Sequence, residues 1–207
     1  AYYYPETFFE PKVWKIRRQT CDFDELENVI KKINSSKNPL IIVGGGVKYS
    51  GAKDELENLI NSTGIPFAVT QAGKSSLDET NSKFVGSIGV TGSSVANELA
   101  KKSDLVISVG SRLQDFTTGS NTLISCEMIS INVQNHDVVK HKSISLLGDA
   151  KVSVKLILER INNFHISKQY ETEINRLKNL WEADVVRVTS KSDKNSLPSD
   201  SEVIGAV

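Results

Sequence analysis

The residues best suited to chemistry in this 207-residue chain are small and polar ones that follow short apolar runs. They form four clusters: Gly44-Gly45-Gly46, Thr70-Gln71-Ala72-Gly73, Gly89-Val90-Thr91-Gly92 and Gly110-Ser111-Arg112. Glycine lets the backbone come close to a phosphate, and the first turn of a following helix offers unpaired N–H donors to an anion. Arg112 is able to form a bidentate contact with a phosphate. The clusters therefore indicate a nucleotide-type site, although tight strand-to-helix turns alone would account for glycines in the same places.

Two standard phosphate-binding motifs are each incomplete in this chain. Residues 44–47 do not begin a G-x-G-x-x-G fingerprint, because Tyr49 stands where the third glycine is required. Residues 73–75 (Gly-Lys-Ser) resemble the end of a P-loop, but Ala68 occupies the position of its first glycine. These departures argue against a dinucleotide fingerprint and against ATP hydrolysis.

The other reactive residues do not form a recognisable catalytic or metal-binding set. A zinc-binding helix needs a second ligand four residues on, and none follows any of the three histidines, His136, His141 and His165. Cys126 has no identifiable base partner, and there is no G-x-S-x-G motif. Asp104 is expected to cap or solvate the start of a strand, and residues 115–120 are expected to form a surface loop. These spacings therefore indicate no zinc-binding helix and no activated nucleophile.

The elements that position these residues are read from apolar periodicity. Short apolar runs occupy residues 40–43, 65–70, 84–88, 104–109, 128–133 and 144–147. Apolar residues recur at helical spacing after Asp22, over residues 52–62, from Ser93 or Ser94 to about residue 102, and after Asp149. Strands that alternate with amphipathic helices predict an α/β fold. The expected fold is a Rossmann-like, doubly wound sheet of about six parallel strands covered on both faces.

Composition excludes several classes of protein. Lys plus Arg and Asp plus Glu each number 25, and this balance argues against a nucleic-acid binder or a binder of anionic membranes. No apolar run reaches the roughly 20 residues that a membrane-spanning helix needs. The two cysteines, Cys21 and Cys126, are too few for a disulfide framework. We therefore expect a reduced, cytoplasmic protein.

Three parts of the chain are expected. Residues 1–22 are aromatic-rich, contain two prolines and predict an extended interdomain strap. Residues 23–165 form the central Rossmann-like domain. Residues 166–207 form a helix and a linker, the linker covering residues 187–202, which are rich in Ser, Lys and Asp. The chain starts without Met and stops within an apolar run, so we expect a fragment of a longer protein.

Several of these segments resemble the central domain of thiamine diphosphate enzymes of the acetolactate synthase type. The resemblance lies in residues 40–47, 70–74, 88–92, 109–120 and 147–150, which follow one another in the family's order. One branch of this family has loop sequences similar to two runs of this chain, Thr-Gln-Ala-Gly-Lys and Arg-Leu-Gln-Asp-Phe-Thr-Thr-Gly-Ser. That branch opens the ring of trihydroxycyclohexane-1,2-dione to a deoxy-glucuronic acid in inositol catabolism.

The resemblance implies a division of labour between domains. In such enzymes the N-terminal domain supplies an activating glutamate, and the C-terminal domain holds thiamine diphosphate and Mg²⁺. Both domains are expected as partners in the same chain, outside this fragment. The resemblance therefore implies that no catalytic residue and no metal ligand lies in these 207 residues. The full-length protein is expected to be a homo-oligomer. In flavin-containing relatives the central domain holds the ADP part of FAD at positions that match Gly44, Gly45, Gly46, Gly89, Gly110 and Arg112. FAD is not expected in the ring-opening branch, so these residues would form a vestigial nucleotide site.

One departure from the family pattern concerns its Gly-Asp-Gly motif, in which the Asp and a later Asn hold magnesium. Here Gly148-Asp149-Ala150 precedes Asn175, but the third glycine is missing and Asp149 is better explained as a helix N-cap. Two alternatives remain open: the FAD-binding central domain of an acetolactate synthase-like enzyme, and a stand-alone nucleotide-binding module.

Overall fold

The computed structural model describes residues 2–190 and 197–206. Six strands form one parallel sheet: β1 (Pro39–Val43), β2 (Phe67–Val69), β3 (Phe84–Ser87), β4 (Leu105–Val109), β5 (Glu127–Asn132) and β6 (Ile144–Leu147). Their spatial order is β3-β2-β1-β4-β5-β6. The predicted doubly wound α/β fold is confirmed, since this order places the first half of the chain on one side of β1 and the second half on the other.

Helices surround the sheet. They are α1 (Phe23–Ser35), α2 (Gly45–Ser50), α3 (Lys53–Thr63), α4 (Ser94–Lys102), α5 (Asp115–Thr118), α6 (Asn135–Val139), α7 (Ala150–Arg160), α8 (Lys168–Thr189) and α9 (Asp200–Gly205). Three predicted N-caps are confirmed, because Asp22, Ser93 and Asp149 each accept backbone N–H bonds from the first turn that follows. Gly64 ends α3 in the left-handed conformation, as expected.

The core is the sheet itself together with the helix faces that cover it. Every residue of β1 and β4 is buried, so both faces of the central strands are covered. Helices α1 and α3 pack against α7, whereas α4 packs against α8. Tyr170 of α8 reaches the start of β1, where its buried hydroxyl donates to the carbonyl oxygen of Pro39 at 3.2 Å.

Two local expectations are wrong. Residues 187–189 form the last turn of α8 and residues 200–202 the first turn of α9, so only residues 190 and 197–199 of the described part of the predicted linker lie outside helices. Residues 191–196 of that linker lie outside the described part of the chain. Residues 115–120 are not a plain surface loop, because α5 begins there and the side chains of Thr117 and Thr118 are buried.

Within the described residues, no helix is both long enough and apolar enough to cross a membrane.

Candidate functional site

The strand order reverses between β1 and β4, and this switch point opens the sheet at the carboxyl ends of the two strands. Val43 and Val109, the last residues of β1 and β4, are register partners. The N–H of Gly44 continues the pairing by donating to the carbonyl of Val109 at 2.8 Å. Ligands of open parallel sheets bind at this point, so it is where a site is expected.

A shallow cleft of about 240 Å³ lies at the switch point. We call it the switch-point cleft; it is lined by Gly45, Gly46, Tyr49, Thr70, Gln71, Ala72, Gly110, Ser111, Arg112, Leu113, Gln114 and Thr117. The structure thus brings four of the six predicted site residues to one place. Sites for drug-sized ligands occupy roughly 300–1,000 Å³, so this cleft is small for a dinucleotide.

The glycines of this cleft are required by contacts between backbones. Gly110 has a φ of +64°. A Cβ atom added to Gly46 would lie 2.7 Å from the Cα atom of Gly110. The N–H of Gly46 donates to the carbonyl of Gly110 at 2.9 Å. Gly44 is equally confined, since a Cβ atom added to it would lie 2.3 Å from the carbonyl oxygen of Gly110. Tight packing of the two turns therefore accounts for glycine at these positions without any ligand.

Gly89 lies outside the lining of the switch-point cleft. Its N–H and carbonyl both bond to the Asn97 side chain, at 3.1 and 2.9 Å. The next residue, Val90, donates its N–H to the carbonyl of Phe116 in α5 at 2.9 Å. Gly89 thus belongs to the contact that holds α5 in place.

Arg112 extends from the β4–α5 loop with an exposed side chain. In the described part of the chain its guanidinium forms no ion pair within 4.0 Å, so the positive charge is free to meet an anion. Its backbone, however, is fixed: Lys140 Nζ donates to the Arg112 carbonyl at 2.7 Å.

Sequence reasoning missed the residues that hold this loop. Asn132 Nδ2 donates to the carbonyl of Ser111 at 3.1 Å, and His141 Nε2 lies 2.9 Å from the carbonyl of Leu113. The histidine must carry its proton on Nε2 for this bond, because a carbonyl only accepts. These partners are 21 and 28 residues from the loop, and no local spacing signals such a contact. Tyr49 and Gln114 were also missed as cleft residues.

The described residues do not fit a thiamine diphosphate or magnesium site. Asp149 accepts from Lys151 N and Val152 N at the start of α7, and its second oxygen pairs with Arg18 at 2.9 Å. Asn175 is exposed on α8. No group of three or more His, Cys, Asp and Glu side chains with metal-binding geometry occurs among residues 2–190 and 197–206. The donor set that would hold a diphosphate-bound cation is thus not assembled here.

The remaining candidates have structural roles or lack activation. Asp104 accepts the N–H groups of Lys37 and Asn38, at 2.6 and 2.9 Å, and so fixes the turn before β1. Burial raises the pKa of the thiols of Cys21 and Cys126, which disfavours the reactive thiolate.

The sheet order, with a glycine-lined cleft at its switch point, defines the class of doubly wound, Rossmann-like domains. The family model described as "Thiamine pyrophosphate enzyme, central domain" matches residues 26–159. The chain belongs to this family.

Curated relatives align with almost all of the chain. The 3D-(3,5/4)-trihydroxycyclohexane-1,2-dione hydrolase of Geobacillus thermodenitrificans is 37% identical over 191 residues, which are 92% of this chain and 30% of that protein. The protein of the same name from Clostridium tetani is 39% identical over 190 residues, 90% of this chain and 30% of the relative. The chain therefore spans about 30% of the length of these relatives.

A solved structure shows the same fold. An X-ray structure described as a thiamin diphosphate-dependent enzyme from Mycobacterium smegmatis aligns with a TM-score of 0.60 at 20% identity. The alignment covers 74% of this chain and 30% of that one.

Proposed function

We propose that this chain is the central domain of a thiamine-diphosphate-dependent hydrolase that opens the ring of trihydroxycyclohexane-1,2-dione to a deoxy-glucuronic acid in inositol catabolism. The observation that carries the proposal is the 37–39% identity to curated hydrolases of that name, sustained over at least 90% of the chain. By contrast, the identity to the thiamin diphosphate-dependent enzyme of known structure is 20%. In this proposal residues 1–22 are an interdomain strap, 23–165 the central domain, and 166–207 the connection to a further domain.

In the proposed enzyme this domain is a scaffold. Thiamine diphosphate and Mg²⁺ bind outside these residues, because the carboxylate best placed by sequence, Asp149, is committed to a helix cap and an ion pair. The partners are the other domains of the same polypeptide, and the full-length protein is a cytoplasmic homo-oligomer.

A flavin is not part of the proposed function. The support is that the switch-point cleft measures about 240 Å³ and that the N–H of Gly46 is already bonded to Gly110. Arg112 forms no ion pair among residues 2–190 and 197–206, which favours the second candidate, the FAD-binding central domain of an acetolactate synthase-like enzyme, and gives it a specific residue to test.

The full-length gene product, purified with thiamine diphosphate and Mg²⁺, tests the proposal by two parallel assays. Loss of the cyclic dione and release of the ring-opened acid are followed against condensation of pyruvate to acetolactate. We expect ring opening, no acetolactate, and no flavin bands in the visible spectrum. Acetolactate formation together with bound flavin, abolished by Arg112→Ala, would establish the second candidate instead.

A further inference from the structure

The β3 edge of the sheet is irregular. The register between β3 and β2 shifts, and Gly86 within β3 has a φ of +96°. The hydroxyl and the N–H of Ser93 donate to the carbonyls of Val85 and Ser87, at 2.7 and 2.8 Å. An edge strand with a shifted register is a poor template for a further strand. The β3 edge is therefore protected by its own backbone shape.

The β6 edge, by contrast, is regular. β6 keeps an unbroken register with β5 from Ile144 to Leu147, and on its other side it pairs with no strand of the described residues. Its sequence, Ile-Ser-Leu-Leu, carries no charge. A regular, uncharged edge strand is the kind to which a strand of another molecule adds most readily. This edge therefore needs a separate means of protection.

The outward N–H groups of the β6 edge already have acceptors within the chain. The N–H of Gly148 donates inward to the carbonyl of Asn132 in β5 at 2.9 Å. Because N–H groups alternate in direction along an extended strand, those of Leu147 and Asp149 point away from the sheet. The N–H of Asp149 donates to the carbonyl of Gln19 at 2.8 Å. The segment before α1 thus closes one end of this edge.

The side chain of Glu25 closes the rest of the edge. Its Oε2 atom accepts the N–H of Leu147 at 3.2 Å, and its Oε1 atom accepts the hydroxyl of Ser145 at 2.7 Å. Glu25 lies in the first turn of α1, where Asp22 caps the helix by accepting the N–H groups of Asp24 and Glu25. Because α1 packs against β6, the carboxylate reaches the edge from a capped helix and occupies the place of a neighbouring strand.

We propose that Glu25 guards the β6 edge against strand addition, and that the partner it excludes is a second copy of this chain. A copy related by a two-fold axis would set β6 against β6 in antiparallel pairing, since such a contact joins the same surface of both molecules. The N–H of Leu147 would then donate to a carbonyl of the other copy instead of to Glu25. With Glu25 in place, that N–H is occupied and a carboxylate stands on each of the two edges, so the pairing is blocked.

The test compares two variants of the full-length protein, Glu25→Ala and Glu27→Ala. Glu27 is the matched control, because it is an exposed residue of the same helix and its replacement removes the same charge. Light scattering measures the mass of the assembly as the protein concentration is raised. Hydrogen–deuterium exchange, read by mass spectrometry, follows the peptide that contains residues 144–149 at each concentration.

We expect the mass of Glu25→Ala to reach at least twice that of the wild type, whereas Glu27→Ala keeps the wild-type mass. In dilute Glu25→Ala the peptide should exchange faster than in the wild type, because Leu147 has lost its acceptor, and the exchange should slow as the protein associates. Adding Ser145→Pro to Glu25→Ala should restore the wild-type mass. The N–H of Ser145 points the same way as that of Leu147, and a proline there has no N–H to offer an added strand.

A Glu25→Ala protein that keeps the wild-type mass at every concentration would overturn the proposal. Equal association of Glu27→Ala, or association that leaves the exchange of residues 144–149 unchanged, would also overturn it, because the contact would then lie elsewhere. Association together with faster exchange throughout the domain would mean that Glu25 stabilises the fold and does not guard the edge, which contradicts the proposal as well.

Discussion

At the scale of single residues, the glycines that look like phosphate-binding residues are explained first by contact between two turns. The turn after β1 and the turn after β4 approach so closely that a side chain on Gly44 or Gly46 would meet the backbone of Gly110. A backbone contact of this kind cannot be relieved by rotating a side chain. The glycines are therefore needed for folding whether or not a nucleotide binds.

Replacing Gly46 by alanine tests this explanation. Alanine favours a helix by about 1 kcal/mol over glycine, so in an uncrowded helix the change would stabilise. Here the Cβ would lie 2.7 Å from the Gly110 Cα, and we expect a loss of about 1–3 kcal/mol in the free energy of unfolding, measured with urea in the absence of nucleotide. Gly51→Asn is the control, because no atom lies within 4 Å of a Cβ there and Asn tolerates its left-handed backbone. Equal stability of Gly46→Ala and the wild type would refute the packing explanation.

Asp149 provides a second test at this scale, since it has both a cap and an ion pair to lose. Asp149→Ala removes both, and the loss of the cap alone costs about 0.5–2 kcal/mol. Asp149→Asn retains an acceptor for the N–H groups of Lys151 and Val152 but loses the charge that faces Arg18. We expect thermal unfolding to show a clearly smaller loss for Asn than for Ala. Equal losses of thermal stability in the two variants would mean that the ion pair with Arg18, and not the cap, stabilises the start of α7.

At the scale of elements, the strands, the longer helices and their caps followed from local signals. Apolar runs such as that of β1, and N-caps such as Asp22, act over a few residues and are visible in the sequence. Helices α2 and α5 could not be predicted, because they are short, and α2 begins with two glycines, which are poor helix formers; both are held by tertiary contacts. The bonds that Asn132 and His141 make to the β4–α5 loop were invisible for the same reason, since they join distant segments.

The attachment of α8 gives a prediction of pH dependence. Lys83 Nζ lies 2.7 Å from Glu171, and this hydrogen bond lowers the pKa of the Glu171 carboxyl below its usual 4.5. A carboxyl whose pKa is lowered in the folded state adds stability above its unfolded pKa, and that stability is lost as the pH falls through the folded value. Glu171→Gln should therefore flatten the decline of the melting temperature below about pH 4.5.

The matched control for Glu171 is Glu182→Gln on the same helix, where no ion pair is described. It should leave the acid limb of the melting curve unchanged. An acid limb that is just as steep in Glu171→Gln as in the wild type would show that the Lys83 contact does not contribute to the pH dependence.

At the scale of the whole molecule, the doubly wound sheet forms a cleft at its switch point, while carboxylates of the same domain make structural contacts. Arg112 lines the cleft and forms no ion pair with the residues that the structure describes, whereas Asp149 and Asp104 hold a helix and a turn. Arg18 and Gln19 are anchored to Asp149, just after the edge strand β6. These features agree with the scaffold role that we propose for this domain.

Isothermal titration of thiamine diphosphate with Mg²⁺ tests this account most directly, with the 207-residue chain and the full-length protein compared side by side. We predict saturable binding to the full-length protein and no binding heat with the isolated chain. Saturable binding of thiamine diphosphate to the isolated chain, weakened by Asp149→Asn, would contradict the account, because it would place the cofactor on residues that the structure commits to the cap of α7 and to Arg18.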